Sequence, residues 1–130
     1  MSAEAVSWLR YASENLRASR LCLKDSLHNP ALQNAQQAVE KSLKALCDFY
    51  GIPFAKTHSI GSLCHELERG NFESGLTEEE CDLLDSIYLP SKYPLGSVLP
   101  EYHPDEELAS HCIAIAERVY TLASKSIEKD

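Results

Sequence analysis

The stretch Gln37-Ala-Val-Glu-Lys-Ser-Leu-Lys-Ala-Leu46, followed by Gly51 and then by Lys56-Thr-His58, decides the fold of this chain. At about 100° per residue, one side of this stretch and its flanks is apolar and the other side is polar. The apolar side consists of Leu32, Ala35, Val39, Leu43, Leu46 and Tyr50, and the polar side of Gln37, Glu40, Lys41, Lys44 and Asp48. The pattern predicts an amphipathic helix whose polar side faces either solvent or a site.

The length and composition predict one globular domain over residues 1–130, with 44% hydrophobic and 25% charged residues. No apolar run approaches the ~20 residues that span a bilayer, and the N-terminus lacks a basic start followed by an apolar block. We therefore predict a cytoplasmic protein without membrane association. The net charge of −8 opposes a general attraction to nucleic acid, so that any such contact must be local.

The five cysteines predict neither a disulfide framework nor a structural zinc site. They are odd in number, are dispersed along the chain and never occur as CxxC. Cys47, Cys64 and Cys112 lie on or beside apolar stripes, where a thiol packs as a small hydrophobe. The histidines show no recognised ligand spacing, and no phosphate-binding glycine loop is present. We predict no metal and no cofactor.

Local start and stop signals divide the chain into helices, and no segment alternates as a strand does. The first helix is predicted over about residues 3–27. Asn29 and Pro30 supply the N-cap and an N1 proline of a second helix. This helix is predicted to end at Tyr50, with Gly51 as the C′ residue.

The second half of the chain contains three further helices in this interpretation. A short third helix begins near Thr57 or Ser59 and ends before Gly70. Thr77 and Glu80 form a capping box that opens a fourth helix, which runs to about residue 89. The last helix starts near residue 104 and has acidic residues in its first turn and lysines in its last. The predicted fold is all-α, an antiparallel four-helix up-and-down bundle with an additional short helix.

Two features of the helices bear on self-association. The last helix carries two adjacent apolar stripes, and Ala31, Ala38 and Ala45 recur every seven residues on the second helix. Small side chains in a row allow another helix to approach closely. They predict either close packing within one chain or a homodimer, since soluble proteins commonly assemble with two-fold symmetry.

A connection over residues 90–103 separates the last two helices, and it contains the basic–aromatic–proline run Lys92-Tyr93-Pro94. Connections in compact bundles usually have ~2–8 residues, so a longer one favours a functional role. Together, the run from Gln37 to Leu46, the following glycine, the Lys56-Thr-His58 start and the Lys92-Tyr93-Pro94 run resemble the HEPN family of small helical domains. The resemblance extends from about residue 31 to residue 123.

The resemblance implies two functional expectations. Many HEPN domains are metal-independent ribonucleases that carry an arginine followed a few residues later by a histidine near the last helix. This chain lacks that motif, which favours a non-catalytic domain, although His111 and Arg118 form a possible divergent nuclease pair. HEPN domains also often pair with a minimal nucleotidyltransferase in toxin–antitoxin systems, so the resemblance implies such a partner.

Seven polar and aromatic residues are the candidates for a ligand site. They are Gln37, Lys41, Lys44, Lys56, His58, Lys92 and Tyr93. If the long connection folds over the second and third helices, the lysines would bind phosphate, Tyr93 would stack on a base, and amides at the start of the third helix would donate. Alternatively, Glu40–Lys44 is an ordinary i,i+4 pair and these residues face water.

We therefore predict a non-catalytic HEPN module that binds a nucleotide or RNA, forms a homodimer and partners a minimal nucleotidyltransferase. The first alternative is a ribonuclease toxin that uses His111 with Arg118 or His58 with Lys56. The second alternative is an architectural dimerisation bundle without a ligand. One helical scaffold can host unrelated functions, so the site must decide among them.

Overall fold

The computed structural model describes residues 3–88 and 104–128 and contains helices only within these ranges. The helices are α1 (Ala3–Lys24), α2 (His28–Tyr50), α3 (Ile60–Arg69), α4 (Glu78–Tyr88) and α5 (Glu106–Glu128). The all-α class is confirmed. The whole 90–103 connection, with Lys92 and Tyr93, lies outside the described residues.

The junction between α1 and α2 differs from the prediction. Helix α1 ends at Lys24 because Ser26 adopts a left-handed φ of 60° and the Leu27 amide donates to the Cys22 carbonyl. This is the helix-ending geometry that glycine usually supplies, and a serine at that position gave no sequence signal. Helix α2 then begins with Leu27 as N-cap, without a side-chain cap, so Asn29 and Pro30 lie inside its first turn. Pro30 is tolerated there because the first-turn amides have no intrahelical acceptor.

Helix α2 is the central element of the bundle and contacts each of the other four helices. Its predicted apolar side is buried except at Tyr50, which is 45% exposed. The helix ends as predicted at Gly51, whose φ of 67° is in the left-handed region that favours glycine.

The alanine row on α2 is fully buried within one chain, as are most of the apolar residues on α5. Ala31, Ala38 and Ala45 have no exposed surface, while α5 buries both of its stripes over most of their length. Helix α5 packs against α1 and α2. The small side chains are therefore used for close packing inside the bundle.

The predicted start of α3 and the predicted capping box of α4 are confirmed. Ser59 Oγ accepts the Ser62 amide at the start of α3. At α4, Thr77 Oγ1 accepts the Glu80 amide at 3.1 Å and Glu80 Oε1 accepts the Thr77 amide at 2.9 Å. Asp105 caps α5 in a similar way by accepting the Leu108 amide.

All five cysteines are free thiols, and four of them are buried. None of the helices within residues 3–88 and 104–128 is long and apolar enough to cross a bilayer. The same part of the chain has no group of three or more His, Cys, Asp or Glu side chains arranged to hold a metal ion.

Candidate functional site

The polar side of α2 is partly buried, and its centre is the carboxylate of Glu40. Only 2% of the Glu40 side chain is exposed. Its oxygens accept hydrogen bonds from Lys44 Nζ at 2.9 Å and from Gln36 Nε2 at 3.4 Å. A carboxylate this deep requires such partners, because removing a charge from water without compensation costs several kcal/mol. Glu40 is therefore the organising residue of a buried polar cluster.

His58 approaches the same carboxylate from the segment that precedes α3. Its Nδ1 lies 3.1 Å from Glu40 Oε1 and 3.2 Å from Oε2, while 52% of its side chain is exposed. The carboxylate can accept a hydrogen bond from Nδ1–H, and in that tautomer the lone pair is on Nε2. The His58 ring stacks on Tyr88 at the end of α4, with centroids 4.6 Å apart and planes 15° apart. His58 thus connects the buried carboxylate to the surface.

Lys44 lies on the other side of Glu40, toward α1. Its side chain is 10% exposed, and its ammonium lies 5.2 Å from the centroid of the Trp8 ring. The Trp8 indole in turn donates to Asp48 Oδ2 at 2.7 Å. Lys44 is therefore held between a carboxylate and an aromatic face and is not a freely mobile surface cation.

The backbone amides at the start of α3 already donate hydrogen bonds to a side chain of α4. Asp85 of α4 accepts the Ile60 amide at 2.6 Å and the Gly61 amide at 3.1 Å, and it accepts the Ser59 hydroxyl at 3.3 Å. The expectation that these amides would be available to a phosphate is wrong, because a carboxylate of the same chain fills the position that an anion would take.

A groove of about 460 Å³ opens beside His58. Its lining comes from the segment before α3 and from the end of α4, and consists of Lys56, Thr57, His58, Ser59, Asp85 and Tyr88. Lys56 is exposed and supplies the cation of this lining. The groove therefore combines one cation with a stacked pair of rings.

The other candidates on α2 are distributed around this cluster. Gln37 Nε2 donates to Gln36 Oε1 at 2.8 Å and so belongs to the same hydrogen-bond network. Lys41 instead points to α1, where it donates to Asn15 Oδ1 at 2.7 Å and lies 6.0 Å from the Tyr11 ring centre. Partial burial lowers the pKa of Lys41, and the neighbouring Glu40 opposes that effect.

The two residues of the possible nuclease pair lie apart along the axis of α5. His111 and Arg118 are seven residues apart, which on a helix corresponds to a rise of about 10 Å. Arg118 donates to Glu80 Oε1 at 2.7 Å and to the Gly75 carbonyl at 3.4 Å. The guanidinium is therefore bound to the capping box of α4.

Sequence reasoning missed Asp85, Tyr88 and Trp8 and read Glu40 only as a possible helix pair. Trp8 is 40 residues from Asp48, and Asp85 is 25 residues from Ile60. The one local signal was Glu40 itself, which lies at the centre of the Gln37–Leu46 motif, where a buried carboxylate needs a partner from another segment.

Three comparisons with known proteins bear on this architecture. The family model of the HEPN domain matches residues 5–127. The chain is 27% identical to an archaeal HEPN homologue of known crystal structure, with a TM-score of 0.71 over 95% of this chain and 97% of that one. It is 26% identical to the protein TT1696 from Thermus thermophilus, with a TM-score of 0.77 over 95% and 98% of the two chains.

No curated protein matches the chain significantly. The family assignment rests on the family model, and the two crystal structures share the fold over almost the whole chain. The match to the family model spans nearly the whole chain, from the first buried alanine of α1 to the last buried isoleucine of α5. The chain belongs to the HEPN domain family.

Proposed function

We propose that this HEPN domain is a non-catalytic binding module whose ligand is a nucleotide or a short stretch of RNA, bound in the groove between Lys56 and Tyr88. The observation that carries the proposal is the stacked His58–Tyr88 pair beside an exposed lysine in a groove of about 460 Å³. Aromatic faces bind nucleobases by stacking, at about 1–3 kcal/mol per base, and a lysine binds phosphate as a point charge.

The electrostatics of the groove favour a small ligand over a long polynucleotide. Asp85 lies in the lining and accepts amides from α3, and the whole chain has a net charge of −8. Lys44 is paired with Glu40, so it adds little positive potential at the surface. Affinity for an extended phosphate backbone requires several cations in a row. A mononucleotide or a few nucleotides of RNA carry few phosphates, which suits a lining with the single lysine Lys56.

The α5 residues support a binding role over ribonuclease activity. In the ribonuclease motif of the family a histidine follows the arginine, and no histidine follows Arg118 in this sequence. Arg118 also donates to Glu80 and to a backbone carbonyl, so stabilising a phosphate would require it to leave the α4 cap.

We also propose that the module forms a homodimer and partners a minimal nucleotidyltransferase in a toxin–antitoxin-like pair. This follows from what the family resemblance implies. Large apolar side chains that remain exposed on α1 are available for such contacts, namely Val6, Tyr11 and Leu21. Sedimentation of the purified chain and co-purification with a candidate transferase would test the two associations separately.

The test of the groove is a thermal-shift screen with individual nucleotides and short RNA oligomers. We expect at least one of these ligands to raise the melting temperature of the wild-type chain, and Lys56→Ala and Tyr88→Ala to abolish the shift. A ligand at 100 times its dissociation constant stabilises by about 2.7 kcal/mol. Lys125→Ala, which removes a charge from α5 outside the groove lining, is the matched control. The proposal fails if no ligand shifts the wild type, or if both groove variants retain the full shift.

A second candidate function is a ribonuclease that uses His58 with Lys56, and the Glu40 contact favours it. A buried carboxylate on Nδ1 fixes the ring and its tautomer, as a general base requires, and leaves Nε2 to act on a 2′-hydroxyl. Lys56 would then stabilise the phosphate charge. Expression in growing cells separates the candidates: toxicity that is lost in His58→Ala supports the nuclease, whereas harmless expression of a folded wild-type chain supports the binding module.

A further inference from the structure

Two cysteines meet in the interface between α3 and α4, apart from the groove described above. Cys64 Sγ and Cys81 Sγ are 3.6 Å apart, and each residue is 6% exposed. They are 17 residues apart in sequence, so a search for CxxC spacing does not predict the pair. The thiols are in contact but not bonded.

We propose that Cys64 and Cys81 are a redox-active thiol pair that hydrogen peroxide converts into a reversible intramolecular disulfide. The proposal goes beyond ligand binding and does not depend on it.

The geometry permits the bond with a small adjustment. The sulfur separation must close from 3.6 Å to about 2.05 Å. Helices α3 and α4 pack closely here, since a Cβ added at Gly61 of α3 would be in van der Waals contact with α4, 3.4 Å from Asp85 Oδ2 and 4.0 Å from Cys81 Cβ. Rotation of the two cysteine side chains is the movement that would close this gap between the sulfurs.

The surroundings make Cys64 the nucleophile of the pair. The Cys81 thiol donates to Cys64 Sγ, and the buried Ser74 hydroxyl donates to the same sulfur at 3.3 Å. These hydrogen bonds stabilise the thiolate of Cys64 and lower its pKa. The pKa of Cys81 is raised, because its own thiol proton is held in the hydrogen bond to Cys64 Sγ. By contrast, burial raises the pKa of Cys47 and Cys112 to about 12. Thiolate character controls cysteine reactivity.

A second groove, of about 410 Å³, gives an oxidant access to the pair. Both cysteines line it, together with carboxylates of Glu68, Glu78 and Asp82. These carboxylates repel an anionic oxidant such as glutathione disulfide, and the 6% exposure of each cysteine disfavours a bulky one. Hydrogen peroxide is neutral and about the size of two water molecules, so it fits both constraints.

The chemistry balances in two steps. The Cys64 thiolate attacks one peroxide oxygen, the O–O bond breaks, and hydroxide leaves and takes up a proton to give water and a sulfenic acid on Cys64. The Cys81 sulfur then attacks the Cys64 sulfur, the S–O bond breaks, and the hydroxyl leaves as water with the Cys81 proton. The pair loses two electrons and two protons, and the peroxide is reduced to two waters. A dithiol reductant reverses the bond.

The test is peroxide treatment of the reduced, folded chain, followed by denaturation, alkylation of the remaining thiols and mass spectrometry. We expect the loss of two of the five alkylated cysteines, a peptide that joins Cys64 to Cys81, and full recovery of labelling after reduction. The oxidised chain should also melt at a higher temperature, because the bond constrains the unfolded state.

Three variants sharpen the result. In Cys81→Ser we expect a sulfenic acid at Cys64 that a dimedone-type probe captures, and in Ser74→Ala slower disulfide formation. Cys22→Ser, at the half-buried cysteine of α1, is the control and should leave the disulfide unchanged. The proposal is overturned if all five cysteines of the folded wild type remain alkylatable after peroxide, or if the only disulfide found joins other cysteines or two chains.

Discussion

At the scale of single residues, Glu40 is the buried charge around which the polar cluster of this domain is built. Its side chain is 2% exposed, and its carboxylate contacts Lys44, His58 and Gln36 at the same time. A buried pair of this kind stabilises little in net terms, because desolvation offsets the Coulomb attraction. Removing only one partner is different, since the other is left buried and charged. Removal of Glu40 alone is therefore costly, although the intact pair contributes little net stability.

We predict that Glu40→Ala lowers the free energy of unfolding by about 3–5 kcal/mol, because Lys44 is then buried without its counterion. Urea denaturation followed by circular dichroism measures this. Glu66→Ala, at an exposed pair with Arg69, is the control and should cost at most about 1 kcal/mol. The double variant Glu40→Gln/Lys44→Met should recover part of the loss. Equal costs for Glu40→Ala and Glu66→Ala would contradict this account.

At the scale of elements, α4 is held at both ends by carboxylates that act on helix termini. Glu80 closes the capping box at its start and accepts Arg118 of α5, and Asp85 near its end caps α3. Partial burial opposes ionisation of Glu80, but the hydrogen bonds from Arg118 and Thr77 outweigh it and lower the pKa of this carboxyl. Helix α4 thus packs against α3 and is joined to α5 by the Glu80–Arg118 ion pair.

We predict that Glu80→Gln lowers the free energy of unfolding by about 1 kcal/mol at neutral pH. Because the folded pKa is below the unfolded one, the contribution of Glu80 is present above the unfolded value and is lost as the pH falls through the folded value. The difference from wild type should therefore shrink in acid. Denaturant midpoints at neutral pH and at about pH 3 test this. Glu79→Gln is the control, and a Glu80→Gln difference that persists in acid would exclude the charge as its cause.

At the scale of the whole molecule, α2 is the element on which the other helices assemble. Thirteen of its residues are buried, and it packs against α1, α3, α4 and α5. The buried side of α2 belongs to one continuous apolar core that includes residues from all five helices. Damage at the centre of α2 therefore reaches its interfaces with all four other helices.

We predict that Leu43→Ala, at a fully buried site on α2, lowers the free energy of unfolding by about 3–5 kcal/mol through the lost apolar burial and the cavity left behind. Leu21→Ala makes the same chemical change at a side chain that is 59% exposed, and it should change stability by no more than about 0.5 kcal/mol. Chemical denaturation of both variants compares them directly. Similar costs at the two sites would mean that α2 is not the centre of the core.

The sequence by itself determined the helices and the fold class. Apolar periodicity in α2, the Thr77–Glu80 capping box and the left-handed Gly51 act within a few residues along the chain, so they can be read without knowing the fold. The end of α1 was not predicted, because Ser26 adopts a conformation for which the sequence offered no glycine. The Gln37–Leu46 stretch and the Lys56-Thr-His58 start also directed attention to the part of the chain where the polar cluster lies.

Only the tertiary structure decided which of these polar groups meet. His58 is 18 residues from Glu40, Asp85 is 25 residues from Ile60, and Cys64 is 17 residues from Cys81. Whether two such residues meet depends on which faces of two helices pack together and on how the helices are shifted along their axes. Helical periodicity in the sequence shows only which residues share a face of one helix. Burial then limits which polar groups can lie inside the bundle, since a buried carboxylate or lysine needs a partner, here supplied by another segment.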